Sequence, residues 1–520
     1  MSSRILPPRV SSKRFDTALR AFASVVGAEW VLTGDEDLLP YFDLYPLDDE
    51  QQHAPSAAVA PQSAEQVQAV VKLANRHRIP LWPISRGKNL GYGGAAPRMR
   101  GTVVLDLGRM KRIIEVNERF GYCIVEPGVG FFDLYDYLRT NRIPLWMAVP
   151  GNAWGSVLGN ALDRGNSTYP YGDHASKVCG LEVVLADGSL VRTGMGAMSH
   201  NTTWPLFKYG YGPSWDSMFM QSNFGVVTKL GLWLMPEPEA TMTLSMELPD
   251  MEDLSWAIDT MFPLKARGVL QQNPAIGNYL RVAGIRSQRE QWYRGPGAMP
   301  DDVVASMLKA LGIGWWGVNL RLYGYEEVNA ANASIVKSAF AKHTAQEFKV
   351  GEWRRGDPID GSGAGVPSVL AMQIANWHGG RGAHLTFSPV LPPSGDEALA
   401  QLHRVRRRFG EFGFDFYGGF TMGERHMIAT NGIVYDRDNQ TMVRNARALF
   451  EALLNDTVHA GFGEYRTHLS FMDDVARSFD FGERALLRLN EKIKNALDPN
   501  GILAPGKQGI WPRAYKDAAE

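Results

Sequence analysis

The segment Pro83–Pro97, PISRGKNLGYGGAAP, carries residues that could bind phosphate groups. Four glycines stand among small and polar residues, with the cations Arg86 and Lys88 close by. Glycine allows the backbone to approach a ligand closely, and successive N–H groups of such a loop can form a concave anion site. An ordinary surface loop explains these residues equally well. The pattern is neither a Walker loop nor a G-x-G-x-x-G turn that opens a helix, which argues against a P-loop NTPase or a Rossmann site.

A second glycine-rich segment, Pro150–His174, reads PGNAWGSVLGNALDRGNSTYPYGDH. No helix or strand period fits it, and so long an irregular segment in a compact domain is usually functional or disordered. Its tryptophan, tyrosine and asparagine content is unlike that of a linker. The segment is therefore predicted to be a loop system that faces a ligand.

The elements that must position these loops can be predicted from hydrophobic period and turn residues. Ser63 begins a helix with Gln66 as its capping box, and Asp187-Gly188 joins two strands within Glu182–Arg192. From about residue 236 to 459 strand-like runs alternate with helices, which indicates a second α+β domain built on a different sheet. Further elements are predicted as strands at Ala54–Pro61, Thr102–Leu107, Tyr122–Glu126, Gly225–Met235, Thr241–Met246 and Gly317–Tyr323, and as helices at Phe131–Asn141, Leu254–Leu264, Glu326–Ala341, Glu397–Phe412, Thr441–Leu454 and Arg484–Leu497.

The amino-acid composition limits the classes of protein to which this chain can belong. The chain has 520 residues, 45% of them apolar and 21% charged, which suits two or more globular domains. A net charge of −1 argues against a nucleic-acid partner. Cys123 and Cys179 lie in apolar runs and are expected to be core thiols, so neither a disulfide nor a metal site is predicted. The N-terminal residues 1–15 lack a signal-peptide apolar region and no run could span a bilayer, so a cytoplasmic protein without a membrane partner is expected.

Several long collinear motifs resemble one flavoprotein family, that of vanillyl-alcohol oxidase and 4-cresol dehydrogenase, which includes eugenol oxidase. The resemblance covers nearly the whole chain. It implies an α+β, two-domain vanillyl-alcohol-oxidase-type (PCMH-type) FAD-binding fold. Residues 1–236, completed by 460–520, would form the FAD-binding domain, and 237–459 an α+β cap. The motifs are GKNLGYGGAAP (Gly87–Pro97), VEPGV (Val125–Val129), GSVLGN and DRG (within Gly155–Gly165), YPYGDH (Tyr169–His174), RTGMGAM (Arg192–Met198), YGYGP (Tyr209–Pro213), QSNFGVVTK (Gln221–Lys229), GAHLTFSPV (Gly382–Val390), GEYRTH (Gly463–His468) and DPNGILAPGKQGIW (Asp498–Trp511).

The resemblance implies how FAD would be held. His384 matches the histidine joined covalently to the isoalloxazine, and strand alternation would place His384, Thr386 and Ser388 on one face. The cresol dehydrogenase branch uses a tyrosine elsewhere, at a position that is Ala375 here. His53 is predicted, on weaker grounds, to lie next to His384 and to activate it. The pyrophosphate and its surroundings are assigned to Ser85, Arg86, Gly87, Lys88, Asn89, Gly155, Ser156, Gly159, Asn160 and Lys507.

Tyr92, Tyr465 and Arg466 match the family trio that holds a substrate phenol as its phenolate. Ionising a phenol of pKa near 10 at pH 7 costs about 4 kcal/mol, and hydrogen bonds to a charged group contribute roughly 1.5–3 kcal/mol each. A phenolate lets the benzylic C–H leave as hydride to flavin N5, giving a para-quinone methide. Without the resemblance, the same residues would be interpreted as two core tyrosines and a surface arginine.

The chain also departs from the family. The aspartate expected after Val149-Pro150 is replaced by Gly151 and Asn152, and a family glutamate aligns with Ala371. Thr168 and Tyr169 invert the usual order of their pair. The loss of these carboxylates leaves open how a quinone methide would be hydrated and which product would form.

These observations favour a covalent-FAD oxidoreductase acting at the benzylic carbon of 4-alkylphenols, 4-allylphenols or 4-hydroxybenzyl alcohols. Oxygen as acceptor would give hydrogen peroxide, whereas a dehydrogenase would use a cytochrome or another electron carrier. Two alternatives stay open: a same-fold flavin oxidase for a different hydroxylated substrate, and a flavin-binding protein without turnover. The family likeness also implies a homodimer or larger assembly.

Overall fold

The computed structural model describes residues 5–47, 49–359 and 365–518. Residues 1–15 are predicted to lack a signal peptide, and the first four of them lie outside the described residues. Within the described ranges, both helices and sheets are present, in agreement with the predicted α+β class. No helix in the described ranges combines the length and apolar character needed to cross a bilayer.

The first sheet has four strands in the order β1-β2-β4-β3 and carries the first glycine-rich loop at the end of β3. β2 and β3 both run parallel to β4. The C-terminal tail joins this sheet, because Leu81 N donates to Ile502 O at 2.7 Å and Ala504 N donates to Leu81 O at 2.7 Å. The strands are β1 (Val31–Leu32), β2 (Ala58–Val59), β3 (Leu81–Ile84) and β4 (Val103–Asp106), and the adjoining helices are α1 (Ser12–Val26), α2 (Asp35–Leu38) and α3 (Ala64–His77).

Ser63 caps α3 as predicted, since its Oγ accepts from Gln66 N at 3.3 Å. The Gln66 side chain accepts from Gln62 N at 2.8 Å instead of from Ser63, so the capping box is only half formed. Valines and alanines on one face of α3 pack with α1 against the first sheet.

The second sheet is antiparallel, with the order β5-β6-β10-β8-β9. The predicted hairpin at Glu182–Arg192 is confirmed, with Glu182 paired to Arg192. Cys123 and Cys179 are buried free thiols, as expected. The elements of this region are β5 (Ile113–Asn117), β6 (Tyr122–Val125), α4 (Phe131–Thr140), β7 (Leu145–Trp146), α5 (Val157–Leu162), β8 (Val178–Val184), β9 (Leu190–Arg192), β10 (Val226–Trp233) and β11 (Met235–Pro236), of which β7 and β11 pair separately.

The prediction that residues 150–174 contain no regular element was wrong in one respect, because α5 lies inside this segment. Ser156 begins the helix by accepting from Gly159 N at 3.2 Å, and Val157, Leu158 and Ala161 are buried. A helix of six residues is too short for its period to stand out from the sequence.

The third sheet is larger and entirely antiparallel, in the order β15-β12-β14-β13-β18-β19-β17-β20, with β16 also paired to β19. Its apolar face packs against long helices in the largest core of the described chain. It is separate from the first sheet, as predicted, while the exact domain boundaries stay a prediction. The strands are β12 (Ala240–Leu248), β13 (Ala275–Asn278), β14 (Trp316–Gly324), β15 (Lys349–Arg354), β16 (Gly382–Phe387), β17 (Pro389–Leu391), β18 (Gly418–Met422), β19 (Met427–Asp436) and β20 (Gly463–Glu464).

The helices of this second half are α6 (Asp253–Ala266), α7 (Leu280–Arg286), α8 (Asp301–Leu311), α9 (Glu326–Phe340), α10 (Gly395–Glu411), α11 (Gln440–His459), α12 (Met472–Ser478) and α13 (Phe481–Leu497). In α13, residues 482–484 have positive φ, so its regular part begins where the sequence predicts a helix.

Candidate active site

One cavity of about 420 Å³ brings together both glycine-rich segments, strand β16 and the C-terminal tail. Of the predicted residues, it is lined by Ser85, Gly87, Lys88, Asn89, Tyr92, Gly155, Ser156, Gly159, Asn160, His384, Arg466 and Lys507. These positions are up to 422 residues apart in the chain, so only the tertiary structure assembles them.

The first loop presents unused hydrogen-bond donors. The main-chain N–H groups of residues 86 to 89 donate to no group among the described residues. The loop folds back on itself, because Asn89 O accepts from both Tyr92 N and Gly94 N at 3.1 Å. Successive free N–H groups in a turn are the physical basis of a phosphate site.

The charges around the cavity also suit an anion. Lys507 Nζ lies 3.6 Å from Asp163 Oδ1, and the Asn89 amide donates to Asp163 Oδ2 at 3.2 Å. Among the described residues, four cationic side chains but only one carboxylate, that of Asp163, line the cavity. Arg86 does not line it, since its Nη1 lies 2.8 Å from Asp133 Oδ2. A contact between Arg86 and a cofactor therefore stays a prediction.

Strand β16 positions His384. Alternation holds for His384 and Thr386, which line the cavity, and for Leu385 and Phe387, which lie in the core. Ser388, the third residue predicted on the His384 face, is buried and is not among the lining residues. Gly91 has φ +80°, and a Cβ there would lie 2.8 Å from His384 Nε2, so a glycine is needed for this close approach. The Nδ1 atom of His384 is buried without a hydrogen-bond partner in the described residues. Burial lowers the pKa of His384 to about 4, which keeps the imidazole neutral at physiological pH.

His53 is buried and has a partner at each ring nitrogen. Its Nδ1 pairs with Arg98 O at 3.0 Å and its Nε2 lies 3.4 Å from Ser470 Oγ. Both ring nitrogens therefore have partners other than His384, and activation of His384 by His53 stays a prediction.

Two of the three predicted phenol-binding residues meet at the cavity wall. The guanidinium carbon of Arg466 lies 4.1 Å from the centre of the Tyr92 ring. Arg466 donates one Nη to Asn89 Oδ1, and its buried Nε has no partner among the described residues. Burial raises the pKa of Tyr92 while the nearby Arg466 opposes the rise. The Tyr92 hydroxyl also hydrogen-bonds with the Thr386 and Ser388 side chains, so its contact with a ligand, like that of the free Nε–H, stays a prediction.

Tyr465 is the third predicted residue, and its hydroxyl hydrogen-bonds with the Arg466 side chain. It is not among the residues that line the cavity, although its main-chain carbonyl accepts from Gln221 Nε2 at 3.0 Å. Burial raises the pKa of Tyr465, and the neighbouring Tyr92 raises it further. Its phenol is therefore a neutral donor, and its contact with a ligand stays a prediction.

Sequence reasoning missed several cavity residues. Asp163, Gln221, Asn223, Arg281 and Tyr417 all line the cavity. Asn223 Nδ2 donates to Ala504 O at 3.0 Å and Ile510 O at 2.9 Å, which fastens the C-terminal tail beside the site. The polar run Gln221–Asn223, placed directly before the apolar strand β10, was the available signal. No comparable signal marks Arg281.

These features together fit FAD. The free N–H groups and Lys88 and Lys507 suit a pyrophosphate, and a neutral histidine with an unpartnered buried nitrogen suits attachment to the flavin ring.

Comparisons with known proteins agree with this reading of the cavity. A family model described as "FAD binding domain" matches residues 55–194, and one described as "FAD linked oxidases, C-terminal domain" matches residues 369–508. The flavoprotein subunit of 4-cresol dehydrogenase (hydroxylating) from Pseudomonas putida is 37% identical over 515 residues, which is 98% of each chain.

Solved structures give the same result. The chain is similar to a 4-ethylphenol oxidase from Gulosibacter chungangensis in complex with isoeugenol, with a TM-score of 0.94 and 34% identity over 98% of this chain and 100% of that one. It is also similar to p-cresol methylhydroxylase with substrate bound, with a TM-score of 0.93 and 36% identity over 98% of this chain and 99% of that one. The chain therefore belongs to the vanillyl-alcohol oxidase and 4-cresol dehydrogenase family of FAD-dependent oxidoreductases.

Proposed function

We propose that this enzyme oxidises the benzylic carbon of para-substituted phenols, such as 4-alkylphenols, 4-allylphenols or 4-hydroxybenzyl alcohols. The observation that carries the proposal is the packing of Arg466 against Tyr92 in the cavity that also holds His384. Relatives named for 4-cresol and 4-ethylphenol support this substrate class.

The residues of the cavity would first bind the phenol as its phenolate. Deprotonation at pH 7 costs about 4 kcal/mol for a phenol of pKa near 10. Arg466 offers the buried Nε–H, and hydrogen bonds to a charged group contribute roughly 1.5–3 kcal/mol each. With Tyr92 and Tyr465 as neutral donors, three such bonds are sufficient to hold the anion.

The phenolate then delivers electron density to the para carbon and weakens the benzylic C–H bond. FAD, when bound, supplies the two-electron acceptor for the hydride. Because this step needs no base, it is compatible with the absence of carboxylates at Gly151 and Ala371. The resulting quinone methide is electrophilic, so water can add at the benzylic carbon or a proton can leave to give an alkene.

We further propose that His384 holds FAD covalently and that oxygen is the acceptor, giving hydrogen peroxide. The neutral, unpartnered imidazole supports the first point. The likeness to a 4-ethylphenol oxidase supports the second. The likeness to a 4-cresol dehydrogenase makes a cytochrome or another electron carrier the competing acceptor.

The test is anaerobic mixing of the holoenzyme with 4-ethylphenol while the flavin absorbance is recorded. The expected result is bleaching by 4-ethylphenol but not by 4-ethylanisole, in which a methyl group blocks the phenol. Admission of air should restore the colour and release hydrogen peroxide, and mass spectrometry should identify the product. A flavin that stays oxidised with a panel of para-substituted phenols would refute the substrate class. If cytochrome c but not air reoxidises the flavin, the acceptor is an electron carrier and not oxygen.

A further inference from the structure

Arg281 is a cation of the cavity that the proposed function leaves without a role. It lies in α7 and lines the cavity together with Tyr417 and Thr430. Its Nε is buried without a hydrogen-bond partner, and it forms no ion pair with any carboxylate in the described part of the chain. Arg281 is half-buried, and a guanidinium without a counter-ion in a partly desolvated cavity is suited to an anionic ligand.

The third sheet holds this guanidinium in a fixed place. Gly277 of β13 and Gly419 of β18 are cross-strand partners. A Cβ on Gly277 would collide with Arg281 Cδ, and a Cβ on Gly419 would lie 3.0 Å from both Nε and Nη2. Two paired glycines therefore form a flat floor beneath Arg281. The guanidinium carbon also lies 5.7 Å from the centre of the Tyr417 ring.

The surroundings of Arg281 in the cavity offer no internal counter-ion. Within the described part of the chain, Asp163 is the one lining carboxylate, and it is already engaged by Lys507 and Asn89. Gly151 and Ala371, where the family resemblance leads one to expect acids, also line the cavity and carry no charge. A pyrophosphate and a phenolate would occupy Lys88, Lys507 and Arg466, which leaves Arg281 available.

We propose that Arg281 binds a carboxylate carried by the para substituent of the substrate. This inference rests on the proposed function and narrows its substrate class to 4-hydroxyphenyl alkanoates, with the phenolate at Arg466 and the carboxylate at Arg281. Arg presents a planar fork of N–H donors that matches a carboxylate in bidentate geometry. The missing acids serve the same purpose, because a carboxylate at Gly151 or Ala371 would repel such a substrate.

The test compares 3-(4-hydroxyphenyl)propionate with 4-propylphenol, which has the same chain length without the charge. Each ligand is titrated anaerobically into the holoenzyme, and Kd is taken from the flavin spectrum, either from its perturbation or from the saturation of its bleaching rate. The variants are Arg281→Met, Arg281→Lys and, as a matched control, Arg286→Met, which removes an exposed cation from the same helix.

Arg281→Met is expected to raise the Kd of 3-(4-hydroxyphenyl)propionate by about 10- to 100-fold more than it raises the Kd of 4-propylphenol, because charge-assisted hydrogen bonds to the carboxylate are lost. Arg281→Lys should recover part of the lost affinity for the propionate, and Arg286→Met should leave the Kd of both ligands unchanged. Equal weakening of both ligands by Arg281→Met, or equal affinity of the unmodified enzyme for both, would overturn the assignment. If the propionate binds in an Arg281-dependent way but no ligand bleaches the flavin, the oxidation chemistry fails while the carboxylate site stands.

Discussion

Gly151 and Ala371 are neighbours in the cavity, because a Cβ added to Gly151 would lie 3.8 Å from the Ala371 methyl carbon. The family resemblance leads one to expect a carboxylate at each of these positions. The two positions therefore form one continuous uncharged region of the cavity wall. Asn152 does not replace them as an acid or base, since its amide donates to Lys88 O at 3.1 Å and accepts from Trp154 N at 3.2 Å.

Restoring one acid should change the fate of the quinone methide. In Ala371→Glu, a carboxylate could activate water next to the benzylic carbon, so the ratio of alcohol to alkene from 4-ethylphenol should rise several-fold. Product ratios measured by chromatography and mass spectrometry would test this. Ala371→Gln has the same shape without the charge, and an identical ratio in both variants would contradict the explanation.

Arg466→Met should weaken phenolate binding much more than FAD binding. The loss of a charge-assisted hydrogen bond of roughly 1.5–3 kcal/mol corresponds to about 10- to 150-fold in Kd. The measurement is a spectral titration with 4-(trifluoromethyl)phenol, which has no benzylic hydrogen to transfer. Arg425→Met, an exposed cation, is the control. An unchanged Kd in Arg466→Met would remove Arg466 from the phenol site.

His384→Ala should leave FAD extractable by acid. The protein is precipitated with trichloroacetic acid and the yellow colour is assigned to the pellet or the supernatant. Colour is expected in the pellet for the unmodified enzyme and for His403→Ala, which removes an exposed histidine. Release of FAD from the unmodified enzyme would contradict the proposed covalent link through His384.

Acid should destabilise the protein through its buried neutral histidines. Burial, reinforced by Arg466, lowers the pKa of His174 to about 4, and the ring is bonded by Asn160 and Ser167. Between pH 6.5 and 4 the unfolded state then binds one more proton at this site than the folded state. Its contribution to stability is therefore complete above pH 6.5 and falls as the pH is lowered, by up to about 1.4 kcal/mol per unit.

The measurement is the urea midpoint of the holoenzyme at pH 6.5 and pH 4.5. His174→Gln, which can keep hydrogen bonds to its neighbours but does not titrate, should show a smaller decrease than the unmodified enzyme. Equal decreases would mean that His174 is protonated in the folded state.

Lys494 should be essential for docking of the C-terminal tail. Its buried Nζ donates to Asn223 O at 2.7 Å, Leu503 O at 2.6 Å and Asp498 Oδ2 at 2.7 Å. Lys494→Met leaves the Asp498 carboxylate without its cation, which costs about 3–5 kcal/mol. The melting temperature and FAD content should fall together, whereas Lys492→Met, exposed on the same helix, should change neither. A stable Lys494→Met variant with full FAD content would contradict this role.

The elements that could be predicted are those with strong local signals. The cap of α3, the Asp187-Gly188 hairpin and the alternation of His384 with Leu385 follow from neighbouring residues alone. The helix α5 was missed because six residues give no measurable period. The hydrogen-bond partners of His53 could not be predicted, because they lie 45 and 417 residues away in the chain.

The sequence by itself determined the family, the presence of a separate sheet after about residue 236 and the residues of the glycine-rich loops, since these depend on local backbone preference and on collinear motifs. Only the tertiary structure decided that Arg466 packs on Tyr92, that Arg86 pairs with Asp133, and that Arg281 lies unpaired over two glycines. The reason is physical: whether a charged side chain is paired or free depends on which strands lie beside it, and strand pairing is set by contacts between distant parts of the chain.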